Sequence, residues 1–236
     1  MPAVLALMLL LLAGDPPAEP FPPYLGAAET WPPDLRREIR NVWAKQTVTR
    51  TVTGKPAEAP LDLYELLIDL PEITSAAGQH LGAGGYRVVR VADHFEVADS
   101  EGARGTYRVI VKRPGERVLL ARVQRRARLL GEVRGATITR LTFAERREDG
   151  KVLVTQRVDT VARIDHRIAA MIAKILLPLF PDYADRKITE IFAIASRVAA
   201  WSVEDPAAFC RWLADQPDGA QHRATFAPKL PACGGR

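Results

Sequence analysis

The chain has 236 residues, 47% of them hydrophobic and 26% charged, with a net charge of +5 and a pI near 9.4. These values are ordinary for a globular protein, which sets aside a disordered chain and leaves room for one sizeable domain with tails or two small ones. The basic excess is mostly arginine, a mild bias toward anionic partners that selects none of them.

The chain opens MPAVLALMLLLLAGD, apolar without a break from Ala3 to Ala13. As a helix this run covers only about half of a bilayer core, too little to span it. It fits the apolar region of a secretory leader, so export to the periplasm or medium is expected, with no integral membrane span. Cleavage has two candidate places: Ala13, with bulky Leu11 before it, and the small-x-small triplet Gly26-Ala27-Ala28. Residues 1–28 are accordingly read as leader and cleavage region. Seven prolines between Asp15 and Asp34 predict an extended segment, with residues 29–42 a linker and folded structure from Trp43.

WAKQTVTRTVTG (43–54) is rich in β-branched residues and ends on glycine, which predicts a first strand. Leu61, Tyr64, Leu67 and Ile68 then form one helical stripe. Pro71 ends that helix and can open a second, reaching Leu81. From Tyr86 to Ile164 the period changes to two. Six strand-like runs are separated by SEGARG, RPGE, GEVRG and EDGK, and successive hairpins of this kind make an antiparallel meander. The alternation predicts a sheet with one apolar and one polar face. Ile168, Met171, Ile172, Ile175, Leu176 and Leu179 form a further helical stripe. Pro181-Asp182 then opens a long helix to about Trp201, so that the two prolines of ILLPLFPDY (175–183) punctuate a bend.

One strand, a helical interruption, a six-strand meander and a long C-terminal helix resemble the START-like superfamily, the SRPBCC group of polyketide-cyclase-like and lipid-transfer proteins. The resemblance covers residues 43–203, leaving 204–236 as a C-terminal helix and tail. Its local echo is TRTVTGKPAEAPLDLYELLIDLPE, where Ala59-Pro60, Tyr64 and Asp69 match a pattern often seen there. ITSAAGQHLG stands where a tryptophan often follows. The resemblance implies an α+β helix-grip fold: a curved antiparallel sheet of about seven strands wrapped around a long C-terminal helix. A cavity would lie between the two, for a hydrophobic or lipid-like small molecule. Its wall would take Tyr107, Val109, Leu119, Val123, Arg140, Val154 and Val158 from the strands, and Met171, Ile175, Ile188, Phe192 and Ala195 from the helices. The short helix would close the mouth as a lid or touch an anionic membrane. An enzyme of the cyclase or dehydratase type and an interaction module with a filled core are the alternatives.

Other chemistry is thinly represented. No serine sits in a Gly-x-Ser-x-Gly turn, and the four histidines show no metal-ligand spacing, so no cofactor or metal is expected. Asp165-His166 reads as a helix cap, and Asp93-His94 as a solvated turn. Ten arginines between 113 and 147 read as the outward face of a sheet, the alternative being a surface for anionic headgroups or a nucleic-acid backbone. Aromatic residues are not interleaved with them, so nucleic acid is not expected as a partner. Arg125 and Arg140 fall on the presumed inner face and need an anionic partner, either a ligand or an acid such as Asp159. Cys210 and Cys233 either form one disulfide or remain a half-buried and a loose thiol.

Overall fold

A computed structural model of the chain describes residues 21–26, 30–127, 131–168, 170–171 and 181–234. Eight strands form one antiparallel sheet. They are β1 (Val48–Thr53), β2 (Ala57–Glu58), β3 (Tyr86–Val91), β4 (His94–Asp99), β5 (Ala103–Arg113), β6 (Glu116–Ala127), β7 (Gly131–Glu148) and β8 (Lys151–Ile164). The order is β1-β8-β7-β6-β5-β4-β3, with β2 also on β8. The meander follows from its turns, and Asp149 and Gly150 supply the two positive-φ positions that the tight β7–β8 hairpin requires. Two-residue β2 is an addition to the expected seven strands.

Helix α1 (Pro33–Ala44) lies on the outer face of the sheet. Helices α2 (Leu61–Asp69), α3 (Pro71–His80) and α4 (Pro181–Glu204) lie on the inner face, followed by α5 (Pro206–Ala214) and α6 (Gly219–Phe226). Proline at the first turn starts α1, α3 and α5, where its missing N–H leaves no bond broken. The α3–α4 crossing is close because Gly78 has no side chain: a Cβ there would come within 2.4 Å of Ile194 Cγ2.

Both faces of the sheet are apolar at the centre. On the inner side Leu141, Phe143, Val154 and Val158 join the buried faces of α2, α3 and α4, and the core continues through Phe209, Leu213 and Phe226. Cys210 and Cys233 form a disulfide that closes this end; a loop of that size contributes on the order of 3 kcal/mol. On the outer side Val111, Val118, Leu120, Ala136, Ile138 and Val161 pack under Leu25, Ile39 and Val42.

This outer core corrects two expectations. The segment read as a linker is a helix with Ile39 and Val42 fully buried, and folded structure begins by Phe21 rather than Trp43. A face that reads as polar at its margins is apolar at its centre, because it has a cover of its own.

Candidate functional site: a cavity on the inner face

Register fixes which side chains share the inner face. Phe95 pairs with Tyr107 and Tyr107 with Ala121, and Ala121 in turn pairs with Thr137. Val109 faces Leu119, which faces Thr139, which faces Thr160. A bulge between Val109 and Val111 turns Val111 to the outer core. At the same level further along, Gly105 pairs with Val123 and Val123 with Gly135. A Cβ on either glycine would strike a neighbouring strand's carbonyl, Arg122 at 2.4 Å or Arg163 at 2.7 Å.

Between this face and the helices is a cavity of about 610 Å3, within the usual range for small-molecule sites. Strand residues Tyr86, Val88, Phe95, Val97, Tyr107, Val109, Leu119, Ala121, Val123, Leu141 and Val158 wall it. Leu67, Ile68 and Pro71 close one side, and Phe192, Ile194 and Ala195 of α4 another. Seven of the twelve expected lining residues are in this wall: Tyr107, Val109, Leu119, Val123, Val158, Phe192 and Ala195.

Three are elsewhere. Arg140 is on the outer face, where its Nε donates to Glu116 at 2.6 Å and its guanidinium stands 5.2 Å from the Tyr24 ring centroid. Val154 is on the inner side but fully buried in the solid core. Met171 is 56% exposed and outside the wall. Ile175 and the side chain of Ile188 lie outside the described residues, as does most of the proposed lid.

The polar groups of the wall differ in how far they are satisfied. Arg117, 3% exposed, uses all three of its nitrogens: Nε and Nη2 donate to the two Asp69 oxygens at 2.7 and 2.9 Å, while Nη1 reaches Glu65 and the carbonyls of Arg113 and Glu116. Burial pushes the Asp69 carboxyl up, but Arg117 and Lys112 more than offset this and hold it below the usual carboxylate range. Asp99 accepts from the backbone N–H of Glu101 and Ala103. Thr139 and Thr160 share a hydroxyl contact of 3.2 Å. Tyr107 is held by its ring, stacked on Phe95 with centroids 4.9 Å apart. Burial pushes its phenol well above the usual range, yet its hydroxyl makes no hydrogen bond to the described residues.

Beyond the cavity, a buried network that the sequence did not reveal ties three elements together. Tyr64 Oη donates to Gln156 Oε1 at 2.5 Å, and Gln156 Nε2 donates to Ser196 Oγ at 2.8 Å and to the Lys55 carbonyl. Tyr64 matches the START-like pattern, and its ring packs edge-on against Phe143.

The dense arginines are largely paired with acids: Arg122 with Glu38 of α1, Arg125 with Glu101, and Arg134 and Arg146 with Glu132 and Glu148 of their own strand β7. An open hollow of about 890 Å3 on the outer face includes Arg87, Arg104, Arg122, Arg134 and Arg163 beside Glu38, Glu96 and Asp165. It is larger than the inner cavity, but its walls are charged. Among the described residues, no group of three or more His, Cys, Asp and Glu could hold a metal ion. None of the described helices is long and apolar enough to cross a membrane.

An open antiparallel sheet, a long helix laid across its inner face and a cavity between them decide the architecture. The chain has a helix-grip fold, the architecture that the START-like resemblance implies. No protein family matches the chain and no curated protein matches it in sequence. Similar solved structures include a conserved protein from Geobacillus kaustophilus, at 14% identity over 66% of this chain and 97% of that one, with a TM-score of 0.48. They also include truncated norcoclaurine synthase from Thalictrum flavum (12% identity, 64% and 93% covered, TM-score 0.40) and Ara h 8.0201 (11%, 64% and 98%, 0.35). At these values the likeness concerns the fold alone.

Proposed function

We propose that the chain is an exported binding protein that carries a hydrophobic or lipid-like small molecule in the inner cavity. The observation that carries this reading is the unfilled apolar space between strands and α4. Interiors are otherwise packed to crystal-like density, and space of this size lined by Val, Leu and Phe favours an apolar guest. The filled-core alternative is inconsistent with that space. Asp159, Arg140 and His166, the candidates for acid–base work in a cyclase or dehydratase, do not line it: Asp159 bonds Thr51 and Arg157 beside Arg140 on the outer face.

Export is supported by the apolar opening run and by the disulfide, which persists in oxidising compartments. The packing of Leu25 restricts processing under this reading. Cleavage after Ala28 would remove a residue that is 2% exposed in the outer core, so the mature chain is proposed to start before Phe21. Transient contact with an anionic membrane is proposed for the stripe that begins at Ile168 and Met171, both more than half exposed.

Uptake of Nile red by protein purified from its native compartment tests the binding role. Saturable uptake near one dye per chain is expected. The absence of uptake, with the fold intact by circular dichroism, would remove the proposal.

A further inference from the structure

The balance of charge and hydrogen bonding around the cavity narrows the ligand class, on the footing that the cavity binds a hydrophobic molecule. A buried ionised group needs an opposite charge and hydrogen bonds to offset its desolvation. At one end all three nitrogens of Arg117 are engaged by Asp69, Glu65 and two backbone carbonyls, so its charge is already offset within the protein. Asp69 in turn is held by Arg117 and Lys112. On the α3 side Arg90 is committed to Glu72 at 2.9 Å, to the Asp69 carbonyl and to the face of Phe95. Asp99 Oδ1 accepts from two backbone N–H groups. Of the arginines at the rim, Arg122 is paired with both oxygens of Glu38, and Arg104 is exposed on the outer side.

On the apolar stretch of the wall the polar groups are neutral: the Tyr107 hydroxyl, with its ring fixed against Phe95, and the Thr137 hydroxyl one strand beyond Ala121. We infer that the cavity takes an uncharged, largely apolar molecule bearing a hydroxyl or carbonyl oxygen, and that Tyr107 is the residue that reads this oxygen. A neutral ligand brings one polar group to the Tyr107 hydroxyl, and it places no further charge beside the paired Arg117, Arg90 and Arg122.

The test uses matched chains differing only in the head: dodecanol and dodecanoate, below their aggregation concentrations, displacing Nile red from the full protein. Dodecanol is expected to displace the dye at a concentration at least tenfold lower than dodecanoate. In the Tyr107→Phe protein, dodecanol should weaken roughly threefold to tenfold, the worth of one hydrogen bond, each inhibition constant being calculated with that protein's own Nile red affinity. Dodecanoate equal to or better than dodecanol overturns the inference while leaving the binding role intact. So does an unchanged dodecanol affinity in Tyr107→Phe. The comparison of the two heads in the unmodified protein does not depend on the variant folding. Failure of Nile red itself to bind would overturn the binding role along with the inference.

Discussion

The two faces of one sheet end differently. On the outer face, Val118, Leu120 and Ile138 are covered by Leu25, Ile39 and Val42, and the space is filled. On the inner face, Leu119, Ala121 and Thr139, their neighbours along the same strands, look into a cavity of about 610 Å3. Alternation decides which residues share a face; the covering element decides whether that face becomes core or container. A short amphipathic helix lies flat on the outer face. On the inner face, α2 and α3 hold α4 over one part of the sheet, leaving space over β5 and β6.

The largest effect should come from breaking the inner face at its buried charge. Arg117→Ala would remove the buried partner that Asp69 and Glu65 share, leaving Asp69 only the exposed Lys112, a loss of about 3–5 kcal/mol measured by urea unfolding. Leu25→Ala opens the filled outer face and should cost about 2–5 kcal/mol, while dye uptake in the inner cavity is retained. A matched pair sharpens the contrast further. Val118→Phe overpacks the outer core and should destabilise by about 1–3 kcal/mol. Ala121→Phe projects into open space, and should leave Tm nearly unchanged while reducing Nile red uptake several-fold.

The smallest effect is on acid stability. Asp69 and Asp159 are both held below the usual carboxylate range: burial pushes each up, and hydrogen bonds and charge from Arg117 and Lys112 on one, Arg157 and Thr51 on the other, more than offset it. Their contribution is therefore fully present above the unfolded-state value of about 4. It is lost as pH falls through the lower folded values. Unfolding midpoints followed from pH 6 to pH 3 should decline, and Asp69→Asn should flatten the decline.

The order of strands and helices was legible because period-two runs, Asp-Gly and the helix-opening prolines are local signals. Tyr107, Leu119 and Phe192 were legible as inner residues for the same reason. Arg140 was misread because its strand neighbours Ile138 and Ala136 are apolar, and alternation cannot tell an inner apolar face from an outer one with its own cover. Val154 was given the right side of the sheet, but whether helix or space lies above it depends on where α2 and α4 pack. The outer cover itself was hidden by proline. Seven prolines suggested an extended linker, although Pro33 stands where a helix tolerates it and Ile39 and Val42 lie on one side of the turn that follows. The Tyr64–Gln156–Ser196 network joins residues up to 132 positions apart, a distance over which no local pattern carries information.

The most direct test of the container is to purify the protein from residue 20 onward without detergent and analyse its organic extract by mass spectrometry. The account predicts an uncharged, mainly apolar molecule approaching one per chain, lost from Ala121→Phe. An empty extract from protein that also fails to take up Nile red would contradict it.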